Sequence, residues 1–194
     1  MEIRPLVPQL VDDFLSLFDA AFSDNPYWMG CYCAYYDDAC SDDTWKAGAD
    51  AAPAHREARC ERIRAGQAKG LLAYDDESVV GWCNVGPRDA FVNLRAYAEA
   101  VEPAAAATGS VMCFVVHPEH RHRGVATALL ERADDYLREL GMVTAEGYPR
   151  AEPPTDAAFP WTAASYKGTR DMYEQAGYHL HRELDRFLVM RKDL

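Results

Sequence analysis

The chain of 194 residues is long enough for one well-packed domain, and we expect a single domain over residues 1–194. Acidic residues outnumber basic ones 31 to 20, so the formal charge of −11 disfavours nucleic acid as a partner and fits an amine-bearing small molecule. Because no run of about 18 apolar residues occurs and the N-terminus lacks a basic start followed by an apolar core, we expect a cytoplasmic protein with no membrane partner.

The first part of the chain predicts a strand, a helix and an aromatic segment. Glu2 to Pro5 favours an extended start, and Val7 to Phe22 carries apolar residues at helical spacing. The segment 25–36 opens with an Asn-Pro turn signal and is rich in aromatic residues. Its single C-x-C pair, Cys31 and Cys33, lacks the second pair of a typical zinc site, so we predict reduced thiols and no metal.

The middle of the chain predicts a helical stretch followed by an antiparallel hairpin. Asp42 to Gly66 consists mostly of helix formers, with a break near Pro53. Leu71 to Tyr74 and Val79 to Val85 flank a polar turn, which is typical of paired strands. The stretch from Asp89 to Gly109 contains an alanine-rich piece and predicts a helical or loose surface connection.

The most informative stretch is a strand, a basic turn and a helix. Val111 to Val116 is a continuous apolar run that predicts a strand buried on both faces, and from Val125 to Leu140 apolar residues recur at helical spacing. The first turn of a helix has N–H groups without internal partners and a partial positive charge, so a pyrophosphate can bind there. We therefore predict an anion site at the turn. Its residues are Arg121, His122, Arg123, Gly124, Val125, Ala126 and Thr127.

The last part of the chain predicts a strand, a helix and a closing hairpin. Met142 to Glu146 favours a short strand beside the central one, and Ala163 to Gln175 favours a helix with Gly177 as its C-terminal cap. Tyr178 to Leu180 and Arg186 to Met190 predict a final antiparallel pair.

Two of these segments, in this order, resemble the GNAT superfamily of N-acetyltransferases. Arg121, Gly124 and Ala126 match the Q/R-x-x-G-x-G/A pattern of the family's motif A. The segment 173–178, YEQAGY, is similar to the family's closing Y-E-x-x-G-F/Y signature. The W-x-x-C-Y-C segment that begins at Trp28 resembles a subset of the family.

The resemblance implies both a fold and an activity. The implied fold is α/β, with a mixed, largely antiparallel sheet flanked by helices and with splayed central strands. The implied activity is transfer of an acetyl group from acetyl-CoA to a primary amine of a small-molecule acceptor, by direct attack in a ternary complex. The alternative is a non-catalytic acyl-CoA-binding regulatory protein with the same fold. The sequence does not decide the acceptor or the oligomeric state, and it leaves a homodimer open.

The resemblance also implies roles along the central strand. The pantetheine of acetyl-CoA would hydrogen-bond to the backbone at Phe114, Val115 and Val116, and an N–H of Val115 or Val116 would stabilise the oxyanion. Tyr173 occupies the position of the tyrosine that serves as general acid in many family members, and a phenol suits a thiolate leaving group.

The general base and the acceptor pocket are less well specified. Where some family members have Glu or His early in the central strand, this chain has Ser110 and Met112, so we expect Glu146 as base, with His117 as the second candidate. The family's acceptor pocket is implied for the aromatic segment, through Trp28, Tyr32 and Tyr35, although packing is the alternative role for these aromatic residues. An asparagine of the family's last helix is replaced by Tyr166.

Overall fold

The computed structural model of the chain describes residues 1–22, 27–36, 49–97, 107–153 and 161–194. In these ranges seven strands form one sheet in the order β1-β2-β3-β4-β5-β7-β6. The strands are β1 (Glu2–Pro5), β2 (Leu71–Asp75), β3 (Ser78–Pro87), β4 (Thr108–Val116), β5 (Thr144–Gly147), β6 (His179–Glu183) and β7 (Leu188–Asp193). The helices are α1 (Val11–Ala21), α2 (Ala52–Arg64), α3 (Val125–Glu139), α4 (Trp161–Ala164) and α5 (Arg170–Gln175).

The sheet is antiparallel except for one parallel pair, β4 with β5, as the predicted fold class requires. That pairing runs only from Thr108 opposite Thr144 to Val111 opposite Gly147. Beyond Val111, β4 continues to Val116 against β3 alone. The second half of β4 therefore presents an edge that β5 does not cover, which is the predicted splay of the central strands.

One extra residue separates the two halves of β4. Asn84 of β3 lies opposite Cys113, whereas the next residue, Val85, lies opposite Val111, so Met112 is a β-bulge. Bulges bend a strand and re-aim the groups that follow. Here the bulge stands where β4 parts from β5.

The helices cover the two faces of the sheet because each has one apolar face. The apolar side of α1, including Phe14 and Phe18, packs on Trp82, with the Phe14 ring 5.0 Å from the indole. On the other face, α3 buries Leu129, Ala133 and other apolar residues at helical spacing. The sheet thus lies between two apolar clusters. No helix in the described ranges is long and apolar enough to cross a lipid bilayer.

Local patterning predicted most elements, with shifts at their ends. The hairpin is confirmed as β2 and β3, and the predicted helix from Val7 begins at Val11 after a 3-10 turn at Pro8–Leu10. The closing pair is confirmed as β6 and β7.

For the helical stretch from Asp42, residues 42–48 lie outside the described residues and α2 covers Ala52–Arg64. Part of the predicted connection, 98–106, also lies outside them, and two 3-10 turns, Arg88–Ala90 and Val92–Tyr97, precede it.

The predicted single helix from Ala163 to Gln175 is wrong. The structure has two short helices, α4 and α5, separated by residues 165–169. Gly168 adopts a left-handed φ of +81°, which breaks the helix, and the Thr169 hydroxyl then caps α5 by accepting from the Met172 N–H at 3.3 Å. The periodicity of the apolar residues did not reveal this break.

Candidate active site

A cavity of about 630 Å³ lies against the second half of β4. One part of its wall is β4 from Cys113 to Val116, and another is the turn that leads into α3. The aromatic segment around Trp28 and the residues between α4 and α5 complete the wall together with Arg150, Arg186 and Phe187. The cavity therefore joins the predicted anion site to the predicted acceptor pocket.

The structure brings nearly all predicted cofactor residues to this cavity. Those that line it are Phe114, Val115, Val116, Arg121, His122, Gly124, Val125, Ala126 and Thr127. The exception is Arg123, which is exposed and does not line the wall. Their binding of a cofactor stays a prediction.

The N-terminus of α3 is open toward the cavity. Gly124 is the N-cap, with φ +79° and ψ 6°, and no side-chain hydrogen bond caps this end in the described part of the chain. A Cβ added to Gly124 would meet no atom within 4 Å, so there is free space beside the first N–H groups of α3. Arg121 is fixed by its own bonds, donating from Nε to Val116 O at 3.2 Å and from Nη2 to Ala21 O at 3.1 Å. This end of the cavity suits an anion.

The backbone N–H groups of β4 point alternately toward β3 and toward the cavity. The Phe114 N–H donates to the Tyr166 carbonyl at 2.6 Å, on the side away from β3, whereas the His117 N–H donates to Val80 O at 2.9 Å on the β3 side. Because successive residues of a strand point their N–H groups in opposite directions, the Val115 N–H faces β3 and the Val116 N–H faces the cavity. Of the two predicted oxyanion donors, the geometry favours Val116.

The aromatic wall is held by the rest of the fold. Trp28 donates from Nε1 to Ala163 O at 2.7 Å, and its ring lies 5.1 Å from that of Tyr166. Tyr35 and Tyr36 line the cavity side by side, with ring centroids 4.9 Å apart. The wall therefore contains two of the three predicted acceptor residues, Trp28 and Tyr35.

The third predicted acceptor residue, Tyr32, does not line the cavity. Its backbone has a positive φ of 43°, which turns the ring toward α1, where it stacks on Phe18 at 5.7 Å. Its hydroxyl donates to Asp19 at 2.6 Å, and burial together with that carboxylate raises the pKa of Tyr32 to about 12. Packing against α1 is therefore the role that the geometry favours.

Thiols form part of the cavity wall. Cys31, Cys33 and Cys113 line it, and the cysteines of the described residues are free. Burial and the neighbouring Cys33 raise the pKa of Cys31 to about 12. Hydrogen bonding with Cys33 and burial raise the pKa of Cys113 well above its ordinary value. Neither Cys31 nor Cys113 is a thiolate near neutral pH, so neither is an activated nucleophile there.

Tyr173 lies directly behind the cavity wall. It is fully buried, and its hydroxyl donates to Lys167 O at 3.1 Å. A Cβ added to Gly168, which does line the cavity, would lie 3.2 Å from Cε2 of the Tyr173 ring and 3.3 Å from the Phe114 ring. Burial raises the pKa of Tyr173 well above 10, so the phenol keeps its proton. Tyr173 as general acid stays a prediction.

Glu146 has a different environment from that of a general base. It is fully buried and lies outside the cavity wall. One carboxylate oxygen accepts from Arg88 at 3.1 Å and from Tyr148 at 2.9 Å, and the other accepts from Arg191 at 2.7 Å. A carboxylate paired in this way stabilises the fold, and it is not free to take a proton from an amine. The geometry thus favours a structural role for Glu146.

The second base candidate, His117, also lies outside the cavity wall. Its Nδ1 accepts from the Glu119 N–H at 3.4 Å. Among the described residues, no group of three or more His, Cys, Asp or Glu side chains is arranged to hold a metal ion.

The sequence matches a known protein family over most of its length. The sequence model described as the acetyltransferase (GNAT) family matches residues 9–152. The chain belongs to this family. None of the curated proteins compared with this GNAT chain matches it significantly.

Solved structures of GNAT proteins have the same fold. The GNAT domain of S. lividans PAT is 20% identical with a TM-score of 0.56, and the comparison covers 99% of this chain and 89% of that one. A ribosomal-protein-alanine N-acetyltransferase from Brucella melitensis is 17% identical with a TM-score of 0.53, covering all of both chains. The Salmonella typhimurium protein yncA, solved with acetyl-CoA, is 15% identical with a TM-score of 0.52, covering 100% of this chain and 93% of that one. Such low identities show the fold alone.

Several residues that line the cavity of this GNAT chain were not predicted from the sequence, namely Tyr36, Arg150, Tyr166 as a backbone acceptor, Arg186 and Phe187. Arg150 and Phe187 meet through an isolated bridge between distant parts of the chain. No local pattern marks such a contact. Tyr36 had a signal, since it belongs to the same aromatic segment as Trp28 and Tyr35.

Proposed function

We propose that the protein, as one domain over residues 1–194, is an acetyl-CoA-dependent N-acetyltransferase that acts on a primary amine of a small-molecule acceptor. The observation that carries this proposal is the continuity of the cavity. An uncapped helix N-terminus, the free edge of β4 and an aromatic wall open into the same space. The bound acetyl-CoA of yncA, a protein of the same fold, supports acetyl-CoA as the donor.

In this proposal, backbone groups of the chain bind acetyl-CoA. The pyrophosphate binds the N–H groups from Gly124 to Thr127, where the helix dipole favours negative charge. The pantetheine extends from the turn before α3 to the free edge of β4 and brings the thioester to Val116. Because the Tyr166 carbonyl already occupies the Phe114 N–H, the thioester carbonyl is left to the N–H of Val116. The Val116 N–H then donates to the oxyanion that develops on attack and stabilises it.

Transfer is direct in this proposal. The neutral amine attacks the thioester carbon, the new C–N bond forms, the C–S bond breaks, and the leaving thiolate takes a proton from the Tyr173 hydroxyl. The nitrogen of the new amide loses its extra proton to water, and a proton from water restores the phenol. The raised pKa values of Cys31 and Cys113 argue against an acetyl-cysteine intermediate. No carboxylate lines the described part of the cavity, so the amine enters in its neutral form or loses its proton to water.

The test is release of CoA thiol from acetyl-CoA with a panel of primary amines, combined with thermal unfolding at increasing acetyl-CoA. A ligand at a hundred times its dissociation constant adds about 2.7 kcal/mol to the free energy of unfolding. Amine-dependent thiol release supports the proposal. Stabilisation by acetyl-CoA without thiol release for any amine would identify the non-catalytic acyl-CoA-binding protein. The absence of stabilisation would remove both.

A further inference from the structure

The cavity differs in charge from the rest of the molecule. Acidic residues outnumber basic ones 31 to 20 in the whole chain, yet no Asp or Glu is among the described residues that line the cavity. Three arginines line it, namely Arg121, Arg150 and Arg186. The described wall of the cavity is therefore basic in an acidic chain, and its positive potential favours anionic ligands.

Arg150 and Arg186 lie apart from the anion site at α3. Arg150 forms an isolated antiparallel β-bridge with Phe187. The adjacent Ala151 N–H donates to Arg186 O at 3.1 Å, so the backbone holds the two arginines on neighbouring segments. The Arg150 guanidinium lies 5.7 Å from the Phe187 ring centroid. This ring and that of Tyr36 lie 4.2 Å and 5.3 Å from the same atom, Nζ of Lys167. The arginine pair therefore belongs to the aromatic end of the cavity.

Neither arginine of this pair has a carboxylate partner among the described residues. Within the described ranges, the polar contact of the Arg150 side chain is from Nε to the backbone carbonyl of Glu152, at 3.4 Å. Other arginines of the chain show the contrast, since Arg191 pairs with Glu146 and Arg170 with Glu174. Two guanidinium groups that line a cavity beside a buried lysine, with no carboxylate in its described wall, form a site for an anion.

We propose that the amine acceptor also carries a carboxylate, which Arg150 and Arg186 bind while the amine points toward β4. The substrate class is therefore amino acids and related amino-carboxylates. This inference rests on the proposed acetyl transfer, and it narrows the amine-bearing small molecule expected from composition to one that also carries an acid group. A guanidinium matches a carboxylate with two parallel hydrogen bonds, whereas it repels an ammonium group that has no anion of its own.

The experiment compares amino acids with their primary amides as acceptors for the full-length protein. Thiol release from acetyl-CoA gives kcat/KM for each member of a pair. We expect the carboxylate to be preferred by about tenfold or more, and we expect Arg150→Gln and Arg186→Gln each to remove most of that preference. The matched control is Arg138→Gln on α3, because Arg138 pairs with Asp135 and does not line the cavity. Equal turnover of acids and amides, or a preference that survives both variants, would overturn the inference.

A binding measurement separates this inference from the proposed function. With CoA bound, tryptophan fluorescence reports amino acid binding because Trp28 lies in the cavity wall. If no amine causes release of CoA thiol, the proposed acetyl transfer is wrong. The binding comparison then still tests whether Arg150 and Arg186 form an anion site. Saturable binding of amino acids that is lost with the amides and in the arginine variants supports the site. Equal binding of acids and amides contradicts it.

Discussion

The hydroxyl of Tyr173 lies above the Cα atom of Gly147, and a Cβ added there would be 2.5 Å from the phenol oxygen. The last residue of β5 is therefore a glycine because a buried tyrosine fills the space of its side chain. This contact fixes the proposed general acid against β5, the strand that pairs with the first half of β4.

We expect Gly147→Ala to displace the Tyr173 ring. Overpacking at a buried site costs about 1–3 kcal/mol, so the melting temperature falls, and thiol release falls further than the loss of folded protein explains. The control is Gly86→Ala in β3, a milder case, because the nearest atom to the added methyl group would be Lys69 Cβ at 3.3 Å rather than a ring atom at less than 3 Å. Unchanged stability and activity in Gly147→Ala would contradict the packing described here.

Tyr173→Phe keeps the ring and removes the proton. We expect acetyl-CoA binding to persist and kcat to fall by about 100-fold or more. Because burial raises the pKa of Tyr173 well above 10, deprotonation of this phenol causes no loss of wild-type activity below that pH. Tyr178→Phe is the control, since its hydroxyl also lies buried, bonded to Asp134, and outside the cavity wall. Equal kcat in the wild type and Tyr173→Phe would remove Tyr173 as general acid.

Glu146→Gln tests the structural role of that carboxylate. Removing one charge from a buried ion pair leaves Arg88 uncompensated, which costs about 3–5 kcal/mol of the free energy of unfolding. We expect a large fall in the denaturation midpoint and an unchanged pH–rate profile for the protein that remains folded. Glu139→Gln, at an exposed pair with Arg132, serves as control. Loss of the acidic limb of the profile would restore Glu146 as the base.

Gly124→Ala tests the anion site at α3. The left-handed φ of Gly124 costs a side chain about 1–2 kcal/mol, and the same cost applies to Gly66→Ala, which has φ +68° and equally open surroundings. The two variants should lose similar stability. The methyl group at Gly124 also enters the space beside the α3 amides, so we expect acetyl-CoA affinity to fall about tenfold in this variant alone. Calorimetric titration measures it, and equal affinities in the two variants would place the pyrophosphate elsewhere.

The pair formed by Asp19 and Arg56 predicts a pH-dependent contribution to stability. The hydrogen bond from Arg56 lowers the pKa of Asp19, so this stability is present above the unfolded pKa of about 3.9 and is lost as pH falls through the folded value. The pair is partly exposed, so we expect Asp19→Asn to cost about 0.5 kcal/mol at pH 7. Urea unfolding should show the two proteins converging below about pH 3. A difference that grows as the pH falls would contradict the assignment.

The features that could be predicted are those that depend on residues close together in the sequence. The run from Val111 to Val116 and the turn at Gly124 each carry a local pattern, so the strand, the turn and the helix were all predictable. The partners of Glu146 were not, because Arg88 and Arg191 lie 58 and 45 residues away in the chain. The orientation of Tyr32 depends on a backbone reversal that residue type does not disclose.

The bulge at Met112 changes the bend of β4 but not the pattern of its two faces. Met112 and Cys113 belong to the same apolar cluster, so the residues on either side keep their faces with or without the extra residue. A chain that lacks Met112 could keep every strand neighbour of β4 and the same apolar pattern. It would lose only the bend at the point where β5 ends. The bend of β4 is therefore separable from the order of the strands, because one additional residue re-aims the second half of β4 without changing its neighbours or its apolar pattern.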